Sequence, residues 1–433
     1  MISKTKLRVT VSIPLLTCLV AFACDYGSDS DNAVAPLEPT QSNPPDTTVP
    51  PAMGAGGSGA APSGNGMEAP PNPTSIDMGP GSETAPGPIA SRPTGSCDIY
   101  GSAGFPCVGA YSLVRALSST YDGPLFQVRR GAPNALQNTG TGGETQDIGI
   151  LPNGFADGAA EAAFCAGQTC TVSVLYDQSG QGNNLTVAKA GCYTGTASED
   201  DWESTTVALT VGGNDVRGLF MEAHEGYRNN DAVSTPEGEA EAGMYIVASG
   251  SGSRPLGGPG CCWNFGIASR DNCYGPTGMM NSLFFGTAFW GEGAGTGPWF
   301  MGDFEAGIWA GGVTGHFANE AQGIAMEEWP VNESNPSMTM AYAFGILKSR
   351  PNNYALRMGD AQQGSLTTAY DGPTPLTMSR WQMEGGIILG IGGDNSNSNP
   401  GRTFFEGAIT AGRPSDDIDE AVLQNVQAAG YGR

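Results

Sequence analysis

The chain has 433 residues, a formal net charge of −24 and two histidines, His224 and His316. This acidic balance argues against nucleic acid as a partner, because phosphate binding needs clustered Lys and Arg side chains. Two histidines also leave little room for a Ser-His-Asp triad or a His-rich metal site, and we expect neither a metal nor a cofactor. The chemistry that remains is that of carboxylates.

The first 23 residues have the pattern of a signal peptide. Basic side chains precede an apolar run over residues 9–22, which is short for a membrane span. Ala23 suits cleavage, and Cys24 directly after it resembles the lipid-bearing cysteine of a bacterial lipoprotein. We therefore expect export, with a lipid on Cys24 as the sole membrane attachment. Plain secretion after cleavage near Ala23 is the alternative.

Residues 25–95 are rich in Pro, Gly, Ala and Ser and have hardly any aromatic side chains. Such a segment cannot bury enough apolar surface to offset its ordering entropy, so we predict a disordered linker. Aromatic and aliphatic runs begin near Cys97. The remaining residues, 96–433, are enough for one large catalytic domain with a substantial core.

Short apolar runs separated by Gly-, Asn- and Asp-rich turns predict an all-β domain. The strands predicted in this way are 170–176, 244–248, 282–285, 298–304, 338–347, 354–358 and 386–391. A C-terminal helix is predicted after residues 414–417, where Ile418, Val422 and Val426 form an apolar stripe, and a second short helix over 155–164. We expect a two-sheet antiparallel β-sandwich of jelly-roll, concanavalin-like type with a short C-terminal helix.

Ten cysteines include two in the N-terminal region, which leaves eight for the domain. An even number in an exported chain indicates disulfides. The adjacent Cys261 and Cys262 either bond to each other, in a small ring that strains the backbone, or pair elsewhere with Cys192 and Cys273. The pairs that local spacing favours are Cys97–Cys107 and Cys165–Cys170.

The segment 298–305 ends with two acidic residues. Side chains alternate between the two faces of a strand, so Phe300 and Phe304 would share one face. The opposite face would carry Trp299, Met301, Asp303 and Glu305. Two acids beside a tryptophan and a methionine are typical of a sugar-binding surface, and a solvated outer face is the alternative.

A second candidate acid is Asp394, which follows the apolar run 385–391 and the pair Gly392-Gly393. The glycines would end a buried strand and let a ligand come close. The alternative is an ordinary turn, since Asp-Asn-Ser-Asn is also typical turn sequence. Glycoside hydrolysis is the common reaction that needs only two carboxyl groups, which makes Glu305 and Asp394 candidates for such a pair.

These segments together resemble the catalytic domain of the glycoside hydrolase family 54 α-L-arabinofuranosidases. The resemblance runs from Cys97 to Tyr431, and its most specific parts are the adjacent cysteines and the segment 386–397. The other matching segments are 97–100, 176–185, 226–230, 243–245, 297–299, 303–305 and 414–417.

The resemblance implies a retaining, exo-acting enzyme that removes terminal non-reducing α-L-arabinofuranosyl residues from arabinan, arabinoxylan or related plant polysaccharides. Glu305 would be the nucleophile and Asp394 the general acid/base. The resemblance also implies a vicinal disulfide, Cys261–Cys262, packed on the sugar, which leaves Cys192–Cys273 as a further pair. The other sugar contacts that it implies are Trp290, Asp303, Gly393 and Asn395.

The sequence departs from the fungal pattern in three respects. Ala306 and Gly307 stand after the nucleophile, where fungal members have polar amides, so substrate affinity could differ. The chain stops at Arg433 without the C-terminal arabinose-binding β-trefoil, which together with the lipid anchor leads us to expect a monomeric bacterial cell-envelope protein. The main rival function is a catalytically inactive surface lectin that binds arabinofuranosyl glycans through Trp290 and Trp299. An enzyme for galactofuranosides or xylosides is a further alternative.

Overall fold

The computed structural model describes residues 92–191, 198–250, 261–273, 280–287, 292–304, 307–313, 331–375, 382–397 and 401–433. The chain divides into two units, 1–83 and 84–433. The first unit lies outside the described residues, as do the predicted signal peptide, Cys24 and nearly all of the predicted linker. No helix among the described residues is long and apolar enough to cross a membrane.

The described residues form mainly β-strands. In chain order, these are β1 (Cys107–Ser112), β2 (Phe126–Arg130), β3 (Glu144–Ile148), β4 (Cys170–Leu175), β5 (Leu185–Val187), β6 (Thr205–Val211), β7 (Asn214–Met221), β8 (Tyr227–Asn229), β9 (Ala242–Ser249), β10 (Asn264–Ala268), β11 (Asn281–Gly286), β12 (Glu292–Ala294), β13 (Trp299–Asp303), β14 (Ile308–Trp309), β15 (Val331–Pro336), β16 (Tyr342–Arg350), β17 (Asn353–Asp360), β18 (Gln363–Pro373), β19 (Gly386–Leu389) and β20 (Arg402–Ala411). The helices are α1 (Ser96–Ser102), α2 (Gly158–Phe164) and α3 (Asp416–Ala429), with a 3₁₀ turn over Ala135–Gln137.

Antiparallel pairing arranges these strands in two sheets. The first runs β14-β13-β11-β10-β19-β8-β5-β4-β2-β3. The second runs β6-β7-β20-β9-β16-β17-β18, with β1 also paired to β20. One residue pair, Thr171 of β4 with Thr205 of β6, joins the two sheets. The strands β12 and β15 form a separate parallel pair.

The two sheets pack face to face. The rings of Phe265 in the first and Phe404 in the second have centroids 5.9 Å apart. Phe300 of the first sheet lies over Gly345 of the second. A β-carbon on Gly345 would come within 2.6 Å of the Phe300 ring, so this position needs a glycine. The expected two-sheet antiparallel sandwich is therefore confirmed, and its main core lies between these two faces.

The C-terminal helix α3 begins at Asp416, directly after the N-cap residue Ser415. The buried amine of Lys348 on β16 is 2.6 Å from a carboxylate oxygen of Asp416 and 2.6 Å from one of Asp419. Val422 and Val426 are buried, as their spacing predicts. The helix thus closes the second sheet through an ion-pair cluster at its first turn and an apolar stripe behind it.

Two predicted elements begin three or more residues later than expected. The strand expected from residue 338 begins at Tyr342, because the backbone N–H of Met338 instead donates to the carbonyl oxygen of Pro298, at 2.7 Å. The helix expected from residue 155 begins at Gly158, because the carboxylate of Asp157 accepts a hydrogen bond from the backbone N–H of Ala160 and caps the helix there.

Candidate active site

The adjacent cysteines lie against the turn that carries Asp394. Only Trp263 separates them from β10. Strand β10 is antiparallel to β19, and Asp394 follows β19. The backbone N–H of Gly390 donates to the carbonyl oxygen of Asn264, at 2.8 Å, and that of Cys262 to the carbonyl oxygen of Ser396, at 3.3 Å. The fold therefore brings together two segments that are more than 120 residues apart in the chain.

The turn itself is tightly hydrogen-bonded. The backbone N–H of Gly392 donates to the carbonyl oxygen of Ser396, at 2.8 Å, and Oδ1 of Asp394 accepts from the backbone N–H of Ser396, at 2.9 Å. A β-carbon on Gly392 would come within 2.4 Å of the Ser396 hydroxyl and 3.0 Å of a carboxylate oxygen of Asp394, so a larger residue would displace both side chains. The turn presents the half-buried Asp394 from a constrained backbone.

Cys261 and Cys262 are joined by a disulfide. Cys262 is 4% exposed and packs in a small apolar cluster that is separate from the main core. The cluster's other members are Phe284, Trp299, Met301, Ile308 and Ala310. The Ser396 hydroxyl lies 3.5 Å from Sγ of Cys262. The disulfide thus forms an apolar surface directly beside the Asp394 turn.

The side chains of β13 alternate as predicted. Trp299 and Met301 belong to the cluster around the disulfide, whereas Phe300 and Phe304 belong to the main core. Asp303 is 4% exposed and accepts a hydrogen bond from the side-chain amide of Asn264, at 2.9 Å. A carboxylate therefore lies buried on the strand that leads to Glu305.

Glu305 and Ala306 lie outside the described residues, as do Trp290 and Cys192. Their flanks are described: β13 ends at Asp303, and the backbone N–H of Phe304 donates to the carbonyl oxygen of Gly307, at 3.1 Å. Strand β14 begins directly afterwards and pairs with β13. The separation of the Glu305 and Asp394 carboxyl groups stays a prediction.

Arg228 on β8 is a site residue that the sequence did not single out. Its Nη1 donates to the carbonyl oxygen of Gly393, at 2.7 Å, and its Nη2 donates to that of Ser269, at 2.6 Å. Its Nε donates to the side-chain oxygen of Asn230, at 2.6 Å. The guanidinium therefore fixes the residue before Asp394. Arg228 and Gly393 are 165 positions apart in the chain, so no local sequence pattern could have revealed their contact.

Asn395 follows Asp394 with a left-handed backbone (φ 69°) and is fully buried. Among the residues that the structure describes, neither its side-chain oxygen nor its side-chain nitrogen has a hydrogen-bond partner. An unpaired buried amide costs free energy and needs an explanation, and a polar ligand at the turn would supply one. The carbonyl oxygen of Gly393 is already occupied by Arg228.

Further disulfides join Cys97 to Cys107 and Cys165 to Cys170. Cys273 is also disulfide-bonded; because Cys192 is not described, the pairing of these two residues stays a prediction. In the described part of the chain, no group of three or more His, Cys, Asp or Glu side chains is placed to hold a metal ion.

Comparison with known proteins agrees with this geometry. The family model described as "Alpha-L-arabinofuranosidase B, catalytic" matches residues 96–432. An α-L-arabinofuranosidase of Hypocrea jecorina is 41% identical over 343 residues, which cover 78% of this chain and 63% of that protein. A probable α-L-arabinofuranosidase B of Aspergillus terreus is 40% identical, with 78% and 62% covered. The chain therefore spans less than two thirds of the length of these relatives.

Solved structures give the same result. A crystal structure of an arabinofuranosidase complexed with arabinofuranosyl-α-1,2-xylobiose matches with a TM-score of 0.69 and 35% identity, covering 78% of this chain and 66% of that one. A GH54 α-L-arabinofuranosidase soaked with a cyclic sulfate inhibitor matches with a TM-score of 0.68 and 36% identity, with the same coverage.

The expected localisation in a bacterial cell envelope is wrong. The relatives named above come from the fungi Hypocrea jecorina and Aspergillus terreus, and a third, from Emericella nidulans, is 39% identical. The expectation rests on the lipoprotein-like Cys24 and on the end of the sequence at Arg433, and neither outweighs fungal relatives of this similarity. Because the family model covers most of the chain, the chain belongs to the α-L-arabinofuranosidase B family, glycoside hydrolase family 54.

Proposed function

We propose that this chain is a retaining, exo-acting α-L-arabinofuranosidase, with residues 96–433 as its catalytic domain. The observation that carries the proposal is the contact between the Asp394 turn and the Cys261–Cys262 disulfide. It places a half-buried carboxyl group beside an apolar surface of limited size, with the buried Asp303 two residues before Glu305.

In the proposed mechanism, Glu305 is the nucleophile and Asp394 the general acid/base. Retaining glycosidases hold their two carboxyl groups about 5–5.5 Å apart. Asp394 protonates the leaving oxygen as Glu305 attacks the anomeric carbon. In the second step, the carboxylate of Asp394 that remains after this transfer accepts a proton from water; the water oxygen bonds to the anomeric carbon as the ester bond to Glu305 breaks.

The sugar is proposed to rest on the disulfide and to be held by polar groups around it. Asp303, oriented by Asn264, accepts a hydrogen bond from a sugar hydroxyl. The unpaired amide of Asn395 gains a partner, and the backbone N–H of Gly393, whose carbonyl oxygen is held by Arg228, donates a further hydrogen bond. Trp290 is proposed to line the same pocket.

The proposed substrate is a terminal arabinofuranosyl side chain on a neutral plant polysaccharide, such as arabinoxylan or arabinan. One solved relative is complexed with arabinofuranosyl-α-1,2-xylobiose, which is an arabinofuranose on a xylan-type main chain. The strongly negative charge of this chain also favours neutral glycans over those that contain uronic acids.

A panel of 4-nitrophenyl glycosides tests this function. We expect release of 4-nitrophenol from the α-L-arabinofuranoside and much slower release from the β-D-galactofuranoside and the β-D-xylopyranoside. Proton NMR of the first product in methanol–water should show the α anomer of the methyl arabinofuranoside, as retention requires. Glycan binding without hydrolysis of the arabinofuranoside would instead establish the lectin alternative.

A further inference from the structure

A groove that is connected by hydrogen bonds to the Asp394 turn has a lining that suits a sugar chain. The groove has a volume of about 700 Å³ and lies between the 3₁₀ turn Ala135–Gln137, the segment around Trp202, and the turn that follows β7. Small-molecule sites typically measure about 300–1,000 Å³. The groove is therefore large enough to hold more than one sugar unit.

An aromatic side chain forms the centre of the groove. The half-buried indole of Trp202 lines it and stacks on the imidazole of His224, with ring centroids 4.7 Å apart and an angle of 12° between the planes. His224 covers one face of the indole and is not itself part of the lining. Stacking fixes the orientation of the ring, so the indole can serve as a rigid, flat apolar platform.

Polar and apolar groups surround this platform. Glu222 and Glu225 supply carboxylate oxygens, Gln137 supplies an amide, and Leu136, which is 57% exposed, forms an apolar rim. The described residues that line the groove include no Lys or Arg. Carboxyl groups and amides bind hydroxyl groups, and these lining residues supply no positive charge for an anionic ligand. The combination fits a neutral, hydroxyl-rich chain.

The groove is joined to the Asp394 turn through short hydrogen bonds. The backbone N–H of His224 donates to the carbonyl oxygen of Asn397, three residues after Asp394, at 3.1 Å, and that of Trp202 donates to the carbonyl oxygen of His224, at 2.7 Å. The side-chain amide of Asn397 also donates to the carboxylate of Asp201. The platform is thus held by the same loop that presents the candidate acid.

From these contacts we propose that the groove around Trp202 binds the xylan-type main chain of the polysaccharide whose arabinofuranosyl side groups are removed at Asp394. This inference rests on the proposed function, because it assigns the main chain of that same substrate to a place next to the reacting side group. The groove would keep the enzyme on the polymer between cleavage events.

Binding of linear xylohexaose to the full-length chain, measured by isothermal titration calorimetry, tests the proposal. Xylohexaose carries no arabinofuranosyl group and is not consumed by the proposed activity. We expect about tenfold weaker binding for Trp202→Ala and a smaller loss for Leu136→Ala, whose side chain is too exposed to affect folding strongly. Val233→Ala is the matched control, because Val233 is 52% exposed and lies outside the groove.

Hydrolysis provides the second readout. For Trp202→Ala, kcat/KM on arabinoxylan should fall about tenfold more than kcat/KM on 4-nitrophenyl α-L-arabinofuranoside, which has no main chain. Unchanged xylohexaose binding by both groove variants, or no binding by the unaltered chain, would overturn the groove assignment. If the binding losses occur but the arabinofuranoside is not hydrolysed, the groove stands and the proposed enzymatic function fails.

Discussion

The guanidinium of Arg228 donates to the carbonyl oxygen of Gly393 at 2.7 Å, and this contact sets the backbone from which Asp394 projects. Further hydrogen bonds, to the carbonyl and the hydroxyl of Ser269 and to the side chain of Asn230, leave the Arg228 side chain little freedom. The arginine is thus a positioning residue for the proposed general acid, although it belongs to a different strand.

Replacing Arg228 with lysine should impair protonation of the leaving group. A lysine amine cannot reproduce the planar guanidinium that donates to Gly393, Ser269 and Asn230. We therefore expect the Asp394 turn to shift. We expect kcat to fall by about 10–100-fold on xylo-oligosaccharides that carry an arabinofuranosyl group, and clearly less on the 4-nitrophenyl arabinofuranoside, whose leaving group needs little protonation.

The control for this prediction is Arg270→Lys. Arg270 also donates to backbone carbonyls in this region, at Asn230, Ala232 and Glu384, but not to the Asp394 turn. A merely structural effect would lower kcat equally for both leaving groups, and equal losses in the Arg228 variant would remove its positioning role.

A stability prediction concerns the buried ion pair between Arg115 and Glu406. The two groups form a double hydrogen bond of 2.7 and 2.8 Å, and the Tyr431 hydroxyl donates to Glu406 at 2.9 Å. Glu406→Gln leaves the guanidinium charge buried without its partner. We expect urea unfolding to show a free energy of unfolding lower by about 3–5 kcal/mol.

The comparison variant is Glu144→Gln, which breaks an exposed pair with Arg130; the Glu144 side chain is 70% exposed. Its loss should stay below about 1 kcal/mol. Similar losses in the two variants would mean that the Arg115–Glu406 pair contributes no more than an exposed one.

A pH prediction follows from Glu225 in the groove. Burial raises the pKa of its carboxyl from an ordinary value of 4.5 to about 7, and the nearby charge of Glu222 adds to this rise. Below about pH 4.5 the group is protonated in both the folded and the unfolded chain. Between pH 4.5 and 7 the unfolded chain loses the proton first, so ionisation favours unfolding and the folded state becomes less stable.

Glu225→Gln removes this penalty. The melting temperature of the variant should therefore increase relative to that of the unaltered chain as the pH rises from 4.5 to 7.5, as measured by thermal unfolding at both values. A difference that is the same at both pH values would show that Glu225 does not titrate in this range in the folded chain.

The vicinal disulfide should affect substrate affinity more than folding. Replacing both Cys261 and Cys262 with alanine removes the apolar surface proposed to hold the furanose. We expect kcat/KM for the 4-nitrophenyl arabinofuranoside to fall at least about tenfold, mainly through a higher KM. The matched control replaces Cys165 and Cys170, which should lower the melting temperature and leave KM unchanged.

Elements with a local signal were predictable from the sequence. The alternation of Trp299 and Met301 with Phe300 and Phe304 separates the two cores as expected, because strand geometry fixes which face each side chain takes. The last helix begins where Ser415 and the acids after it indicate.

The short helix α1 was not predicted, although its signal is present. Asp98 lies at its third position and accepts a hydrogen bond from the backbone N–H of Gly95, at 2.8 Å. The glycine and serine residues of Ser96–Ser102 have low helix propensity, so composition argues against a helix there despite the Asp98 cap.

Parts of the site that depend on distant contacts were not predictable. The segment 226–230 matches the family pattern, yet nothing in it indicates that Arg228 reaches Gly393. The stack of Trp202 on His224 joins two loops that are 22 positions apart. Such pairs form because the sheets bring their loops together, and that information lies in the whole fold.

The central claim is tested most directly by the rate at which the full-length chain and its Glu305→Gln variant release 4-nitrophenol from 4-nitrophenyl α-L-arabinofuranoside. A folded variant that lacks the nucleophile should be at least about 1,000-fold slower, because an amide cannot form the glycosyl ester. Circular dichroism would establish that the variant is folded. A folded Glu305→Gln protein with near-normal activity would contradict the account.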